Sequence, residues 1–179
     1  KSLMSLRVVD ATADAAAEAG LSLLDRRAVT ESQMRDYLAE KGFGDTAVDD
    51  VVAAFVARGW LNDRDYTGEF LRQRCQRPGM SRAKLAADME KRGLDTQSIS
   101  ASLAALDAEN PDWETENART LLESKLAAAQ RGLDLSNFDD CRKLKAKLWR
   151  YVATRGFSSD LATTVVNTVM DELKLDGQS

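Results

Sequence analysis

Three glycine-centred triplets constrain this chain more than anything else in it: Lys41-Gly42-Phe43, Arg92-Gly93-Leu94 and Arg155-Gly156-Phe157. Their glycines stand 51 and 63 residues apart. Before each lies an apolar pair four residues apart: Met34/Leu38, Leu85/Met89 and Leu148/Val152. Thirteen residues after each glycine come Phe55, Leu106 and Val169. Three and four residues ahead of those lie Val51/Val52, Ser102/Leu103 and Val165/Val166. Recurrence at three and four marks one face of a helix. Each triplet therefore closes one amphipathic helix and precedes another. Glycine suits such a corner because a helix often ends on a left-handed residue, which costs other side chains more. Thr30 and Ser81 stand where an N-cap would open the first two middle helices. Self-similarity at this period is the signature of stacked helical units.

The expected fold class is all-α: three tandem three-helix repeats stacked into an elongated, curved modular array. Helices are expected over 11–27, 31–41 and 45–58, then 63–76, 81–92 and 96–107, then 112–130, 138–154 and 159–173. The repeats would span 11–59, 60–109 and 110–175, with a flexible arm over 1–10 and a frayed tail over 176–179. On the first helix Ala16, Ala19, Leu23 and Leu24 share a side. A unit of about 50 residues buries too little surface to be secure alone, so the repeats are expected to unfold together.

Several functions are disfavoured by what the chain lacks. It contains no histidine, which removes the commonest general base and the commonest metal ligand. Its ten glycines form no phosphate-cradling pattern. Cys75 and Cys141 lie in no metal-like spacing and read as inert free thiols of a reducing cytoplasm. No run approaches the ~20 apolar residues of a membrane span, and residues 1–10 lack the pattern of a secretory leader. No enzyme and no cofactor is expected.

The net charge of −4 hides a segregation. Residues 142–155 carry six basic side chains and no acid. Residues 64–92 carry eight basic against four acidic, whereas 93–141 carry three against ten. At 100° per residue, Leu144, Leu148, Tyr151 and Val152 share a face of the third middle helix. Arg142, Lys143, Lys145 and Arg150 occupy the rest, with Trp149 between the directions of Arg142 and Lys145. Cations interleaved with an aromatic can grip phosphates or an acidic surface. Trp149 itself is read as packing into a core or a neighbouring unit. Trp60, Leu61 and Trp113 are read as anchors of the two junctions between units, and Tyr66 and Phe70 as core.

Gly59-Trp60-Leu61-Asn62-Asp63, with Tyr66, Phe70-Leu71 and Arg72-Gln73-Arg74, resembles the second repeat of the RecX regulatory proteins. Ser81-Arg82, Leu85, Met89 and Lys91-Arg92-Gly93-Leu94 continue that motif. Arg142, Lys145, Arg150-Tyr151 and Arg155-Gly156-Phe157-Ser158 resemble the family's third repeat. Arg77-Pro78-Gly79-Met80 departs from the family's usual Gly-Tyr-Gly, and a pI near 5.0 is less basic than is usual there. The resemblance implies a non-enzymatic, cytoplasmic regulator that binds RecA and RecA–single-stranded-DNA filaments. It would inhibit the recombinase, ATPase and co-protease activities and so modulate DNA repair, recombination and the SOS response. The partners implied are RecA, its DNA filament and single- or double-stranded DNA directly; no membrane is among them, and the protein is expected to be a monomer. Binding is assigned to Arg72, Arg74, Arg82, Lys84, Arg142, Lys143, Lys145, Lys147 and Arg150. The alternative is a helical regulator that acts on DNA without RecA, since short three-helix units can present a recognition helix.

Overall fold

The computed structural model describes the backbone of residues 2–176 and the side chains of residues 12–175. Every element among the described residues is helical: α1 (Ser2–Leu24), α2 (Glu31–Glu40), α3 (Asp45–Ala57), α4 (Asp63–Arg74), α5 (Arg82–Glu90), α6 (Thr96–Glu109), α7 (Trp113–Ala129), α8 (Phe138–Ala153) and α9 (Ser159–Asp176). Three of them, α2, α5 and α8, run into the glycine corners that the triplets mark. The clear departure is α1, which starts at Ser2 where an arm over residues 1–10 was expected. No glycine or proline stands before Gly20, so nothing local stops the helix from extending upstream. Lys1 and the last three residues of the expected tail, 177–179, lie outside the described residues.

The corners explain the triplets. Gly42, Gly93 and Gly156 have φ of +89°, +76° and +89°. The amides of Phe43 and Leu94 reach back to the carbonyls of Leu38 and Met89, and those of Gly42 and Gly93 to Ala39 and Glu90. This is the Schellman ending, which satisfies the last orphan carbonyls of the helix. It also brings the residue after glycine onto the apolar residue that ends the stripe. That geometry accounts for the apolar third position, and Leu94 and Phe157 are indeed buried.

By packing, the chain forms two compact units. The first comprises residues up to Glu69 together with Met89–Ser100. Its core holds Ala16, Leu23, Met34, Leu38, Val51, Val52, Phe55 and Leu61, where α1, α2 and α3 pack on one another. A Cβ on Gly20 would lie 2.8 Å from the Phe55 ring, so α1 approaches α3 as closely as a side chain permits. The second unit comprises Phe70–Asp88 and the chain from Ala101 onward. Its core is built from α7, α8 and α9 around Leu122, Leu144, Leu148, Val152, Val166 and Val169. The repeat is looser in one place, since Leu106 is only half-buried where Phe55 and Val169 are buried.

Each unit contains one joint of the same construction. In the first unit, Thr30 caps α2 by accepting from the Gln33 amide, and its own hydroxyl donates to the Arg92 carbonyl at 2.6 Å. The next amide, Glu31, donates to the Asp63 carboxylate at 2.8 Å. In the second unit, Ser81 accepts from the Lys84 amide and donates to the Arg155 carbonyl at 3.3 Å. There the following amide, Arg82, donates to Glu114 at 2.8 Å. A helix start thus receives the glycine corner of the following repeat, and a carboxylate from that repeat's first helix takes the exposed amide. A hydroxyl is required because it must accept and donate at once. The third repeat has no such start. Twelve residues before Gly156 stands buried Leu144 in the interior of α8, whose extra turns run on to Phe138.

The two tryptophans of the junctions differ. Trp113 is 3% exposed, and its indole donates to Asp107 at 3.0 Å. Trp60 is 49% exposed, contrary to its reading as a junction anchor. Gly59 turns left-handed just before it, which sends Leu61 into the core and Trp60 outward. The Trp60 ring lies edge-on to Phe55, under the guanidinium of Arg58. Tyr66 is half-buried and accepts from Arg92, while Phe70 is buried as expected.

Candidate partner-binding surface

α8 is the strongest carrier of charge and aromatic surface in the second unit. Asn137 caps it, accepting from the amides of Asp139 and Asp140 at 2.8 and 3.2 Å. Those two carboxylates sit in the first turn, where the helix dipole favours them. They pair with Arg142 at 3.3 Å and Lys143 at 2.9 Å, one turn on. Lys143 and the Asp134 amide hold the Asp140 carboxyl below the usual range. Lys145 and Arg150 pair with no carboxylate among the described residues.

The core face of α8, through Leu144, Leu148 and Val152, divides the remaining residues between two flanks. Beside α9, Arg142, Lys145, Trp149 and Arg150 line a groove of about 400 Å³ that also touches Thr163. Trp149 is 36% exposed, not packed into a core, and its indole donates to the Thr163 hydroxyl at 3.1 Å. That bond fixes the ring while leaving part of it open. Beside α7, Lys147 and Tyr151 line a second hollow with Lys125. The Lys147 ammonium donates to the Ala129 carbonyl at the end of α7, and Lys125 and Arg155 lie over the Tyr151 ring at 5.5 and 4.7 Å.

The other four assigned residues stand on α4 and α5, and two of them are structural partners. Arg82 binds Asp107 and lies 3.8 Å from Glu114, with its guanidinium over the Trp113 ring. Arg74 lies over Phe70 and reaches Asp88 at 3.9 Å. Arg72 and Lys84 occupy exposed positions. The sequence reading therefore joins residues that the structure separates into a joint, centred on Arg82, and an open face, centred on α8. Phe138 was missed. It is 80% exposed, and its position off the Leu144/Leu148 stripe is the signal that marks it.

The joint has a pH signature. The Arg82 hydrogen bond first, and the Trp113 indole second, hold the Asp107 carboxyl below its ordinary value. Its contribution to stability is therefore present above the ordinary carboxylate pKa and lost as pH falls through the lowered folded value. Solvent screens this partly exposed pair, so the effect is modest. Thermal melts should lose stability below about pH 4, and Asp107→Asn should flatten that acid limb while lowering the melting temperature at neutral pH.

The thiols add no chemistry here. Cys75 is buried and free, and burial pushes its pKa up, which disfavours the reactive thiolate. Cys141 is half-buried and its thiol reaches the Leu135 carbonyl at 3.0 Å. No helix among the described residues is long and apolar enough to cross a membrane.

Fold and face together define a helical-repeat protein with a basic, aromatic outer helix. A profile described as the RecX first three-helix domain matches residues 16–54, the repeat in which the sequence motifs were weakest. The chain is 32% identical over 153 residues to the regulatory protein RecX of Mycobacterium leprae, covering 86% of this chain and 82% of that protein. It is also 32% identical over 141 residues to the RecX of Pasteurella multocida, covering 78% and 79% of the two chains. The crystal structure of RecX from Lactobacillus salivarius superposes with a TM-score of 0.77 over 90% of this chain and 98% of that one, at 17% identity. This chain belongs to the RecX family of regulatory proteins.

Proposed function

We propose that this RecX-family protein is a non-catalytic, cytoplasmic modulator of RecA, which binds RecA and its single-stranded-DNA filament and inhibits the recombinase, ATPase and co-protease activities. The observation that supports it most is the α8 face, where Lys145 and Arg150 stand exposed, without carboxylate partners among the described residues, on either side of Trp149. Such cations are available to an acidic protein surface or to filament phosphates at little desolvation cost. Arg142, Lys143 and Lys147 extend the same positive helix, and Arg72 and Lys84 offer further exposed cations. Arg82 and Arg74 are engaged in the structural contacts already described.

The double variant Lys145→Glu/Arg150→Glu tests this. Both side chains are exposed, so the fold should survive, as circular dichroism would confirm. Binding to RecA–oligonucleotide filaments, read by co-sedimentation, should weaken by at least about tenfold at physiological salt. Unchanged binding would remove the assignment of the surface. Shift of naked DNA at the same concentrations, in the absence of RecA, would favour direct DNA binding instead.

A further inference from the structure

The basic face of α8 is one wall of a longer trough. Phe138, Arg142, Lys145 and Trp149 follow one another at intervals of four, three and four residues, which places all four on one side of the helix. The two aromatics stand about 16 Å apart along the axis, the length of three helical turns. Next to the Trp149 groove, and sharing Arg142 and Lys145 with it, lies a second groove of about 500 Å³ between α8 and α9. Its apolar lining comes from Leu135, Phe138, Cys141 and Met170. Asp171 and Lys174 of α9, paired with each other at 3.9 Å, stand on its other side.

We propose that this α8–α9 trough takes an amphipathic acidic helix of a partner protein, with apolar side chains on the Phe138 and Trp149 platforms and carboxylates toward Lys145 and Arg150. The proposal rests on the reading of α8 as the working surface and names what that surface recognises. An apolar floor beside the unpaired cations of α8 reads a helix with apolar residues at three- and four-residue spacing. An 80% exposed phenylalanine on the turns of α8 that the other two middle helices lack leaves apolar surface in water that such a helix would cover. A nucleic-acid strand fits less well. Arg142 and Lys143 are already paired with Asp139 and Asp140, and Lys174 with Asp171, so few cations remain for a continuous run of phosphates.

The test uses the full chain and a fluorescein-labelled, capped peptide of about three helical turns, with leucines on one stripe and glutamates on its flanks. Anisotropy should show saturable binding. Phe138→Asp, an exposed change, should weaken it by about tenfold or more, as should Lys145→Glu. A peptide with the leucines replaced by serine should also bind about tenfold more weakly. No binding of the leucine–glutamate peptide would overturn the proposal, as would binding indifferent to Phe138→Asp. Equal competition by an oligothymidylate and by the serine peptide would also overturn it, in favour of a purely electrostatic site. RecA inhibition is measured in parallel on the same proteins. Peptide binding without any RecA inhibition would sink the RecA reading and leave the trough standing, whereas RecA inhibition untouched by Phe138→Asp, with peptide binding absent, would do the reverse.

Discussion

Gly93→Ala is expected to destabilise the first unit by about 3 kcal/mol, the sum of a backbone and a steric effect. The backbone effect follows from φ of +76°, which an alanine adopts only at a cost of about 1–2 kcal/mol. The steric effect arises because a Cβ there would fall 2.2 Å from both Cβ and Oγ of Ser32. Ser32 follows Thr30 and Glu31, whose hydroxyl and amide make the joint, so any displacement of the corner also strains the Thr30–Arg92 bond. Two further variants separate these effects. Gly42→Ala has similar backbone strain at φ +89° but no atom within 4 Å, so it should cost only about 1–2 kcal/mol. Ser32→Gly in the Gly93→Ala background should restore the steric part, since the Ser32 Cα stands at an ordinary 3.7 Å. Urea melts of the four proteins provide the measurement. Equal losses for Gly42→Ala and Gly93→Ala would mean that the close approach contributes nothing.

Asn117→Ala is expected to cost the second unit about 2–3 kcal/mol, although it removes only one side-chain amide. Asn117 lies on α7, is 7% exposed, and its amide nitrogen donates to the carbonyls of both Cys75 and Met80. The two carbonyls flank the turn Gln76-Arg77-Pro78-Gly79 between α4 and α5. Loss of the donor leaves both without that partner, and an unmade buried hydrogen bond is costlier than a made one is favourable. Asn117→Asp should be worse than alanine at neutral pH, because a carboxylate would face two carbonyls with no proton to give. It should recover as the carboxyl is protonated at low pH. Thermal melts of both variants from neutral to acid pH would show this ordering, and an aspartate as stable as asparagine at pH 7 would contradict it.

The corners and helix faces were legible in the sequence because one local constraint produces all their features together. A Schellman ending demands the left-handed glycine and brings the next residue onto the apolar stripe, so Lys41-Gly42-Phe43 carries its own geometry. Eight of the nine helices among the described residues begin within about a turn of where periodicity places them. α1 does not, since the boundary was inferred from fading periodicity over residues 1–10 and no breaker enforces it. Trp60 was misread for a different reason. Trp60 and Leu61 are equally apolar neighbours, and only the direction of the chain after Gly59 decides which enters the core.

The charged face was legible as composition but not as pairing. The run of cations from Arg142 to Arg155 was plain in the sequence, and so was the angle that places Trp149 between Arg142 and Lys145. That Arg82 is held by Asp107 and Glu114 was not, because those acids come 25 and 32 residues later and meet it only through the packing of α5, α6 and α7. Phe138 illustrates the opposite error of emphasis. A lone aromatic at a helix start attracts little notice until its exposure is known.

The proposed restraint of RecA through the α8 face has a direct test. The most direct measurement is the single-stranded-DNA-dependent ATPase of RecA, titrated with the full chain alongside Lys145→Glu/Arg150→Glu. Dose-dependent inhibition by the unaltered protein, with the concentration for half-inhibition raised by about tenfold or more in the double variant, is the expected result. Full ATPase activity at excess of the folded, unaltered protein would contradict it.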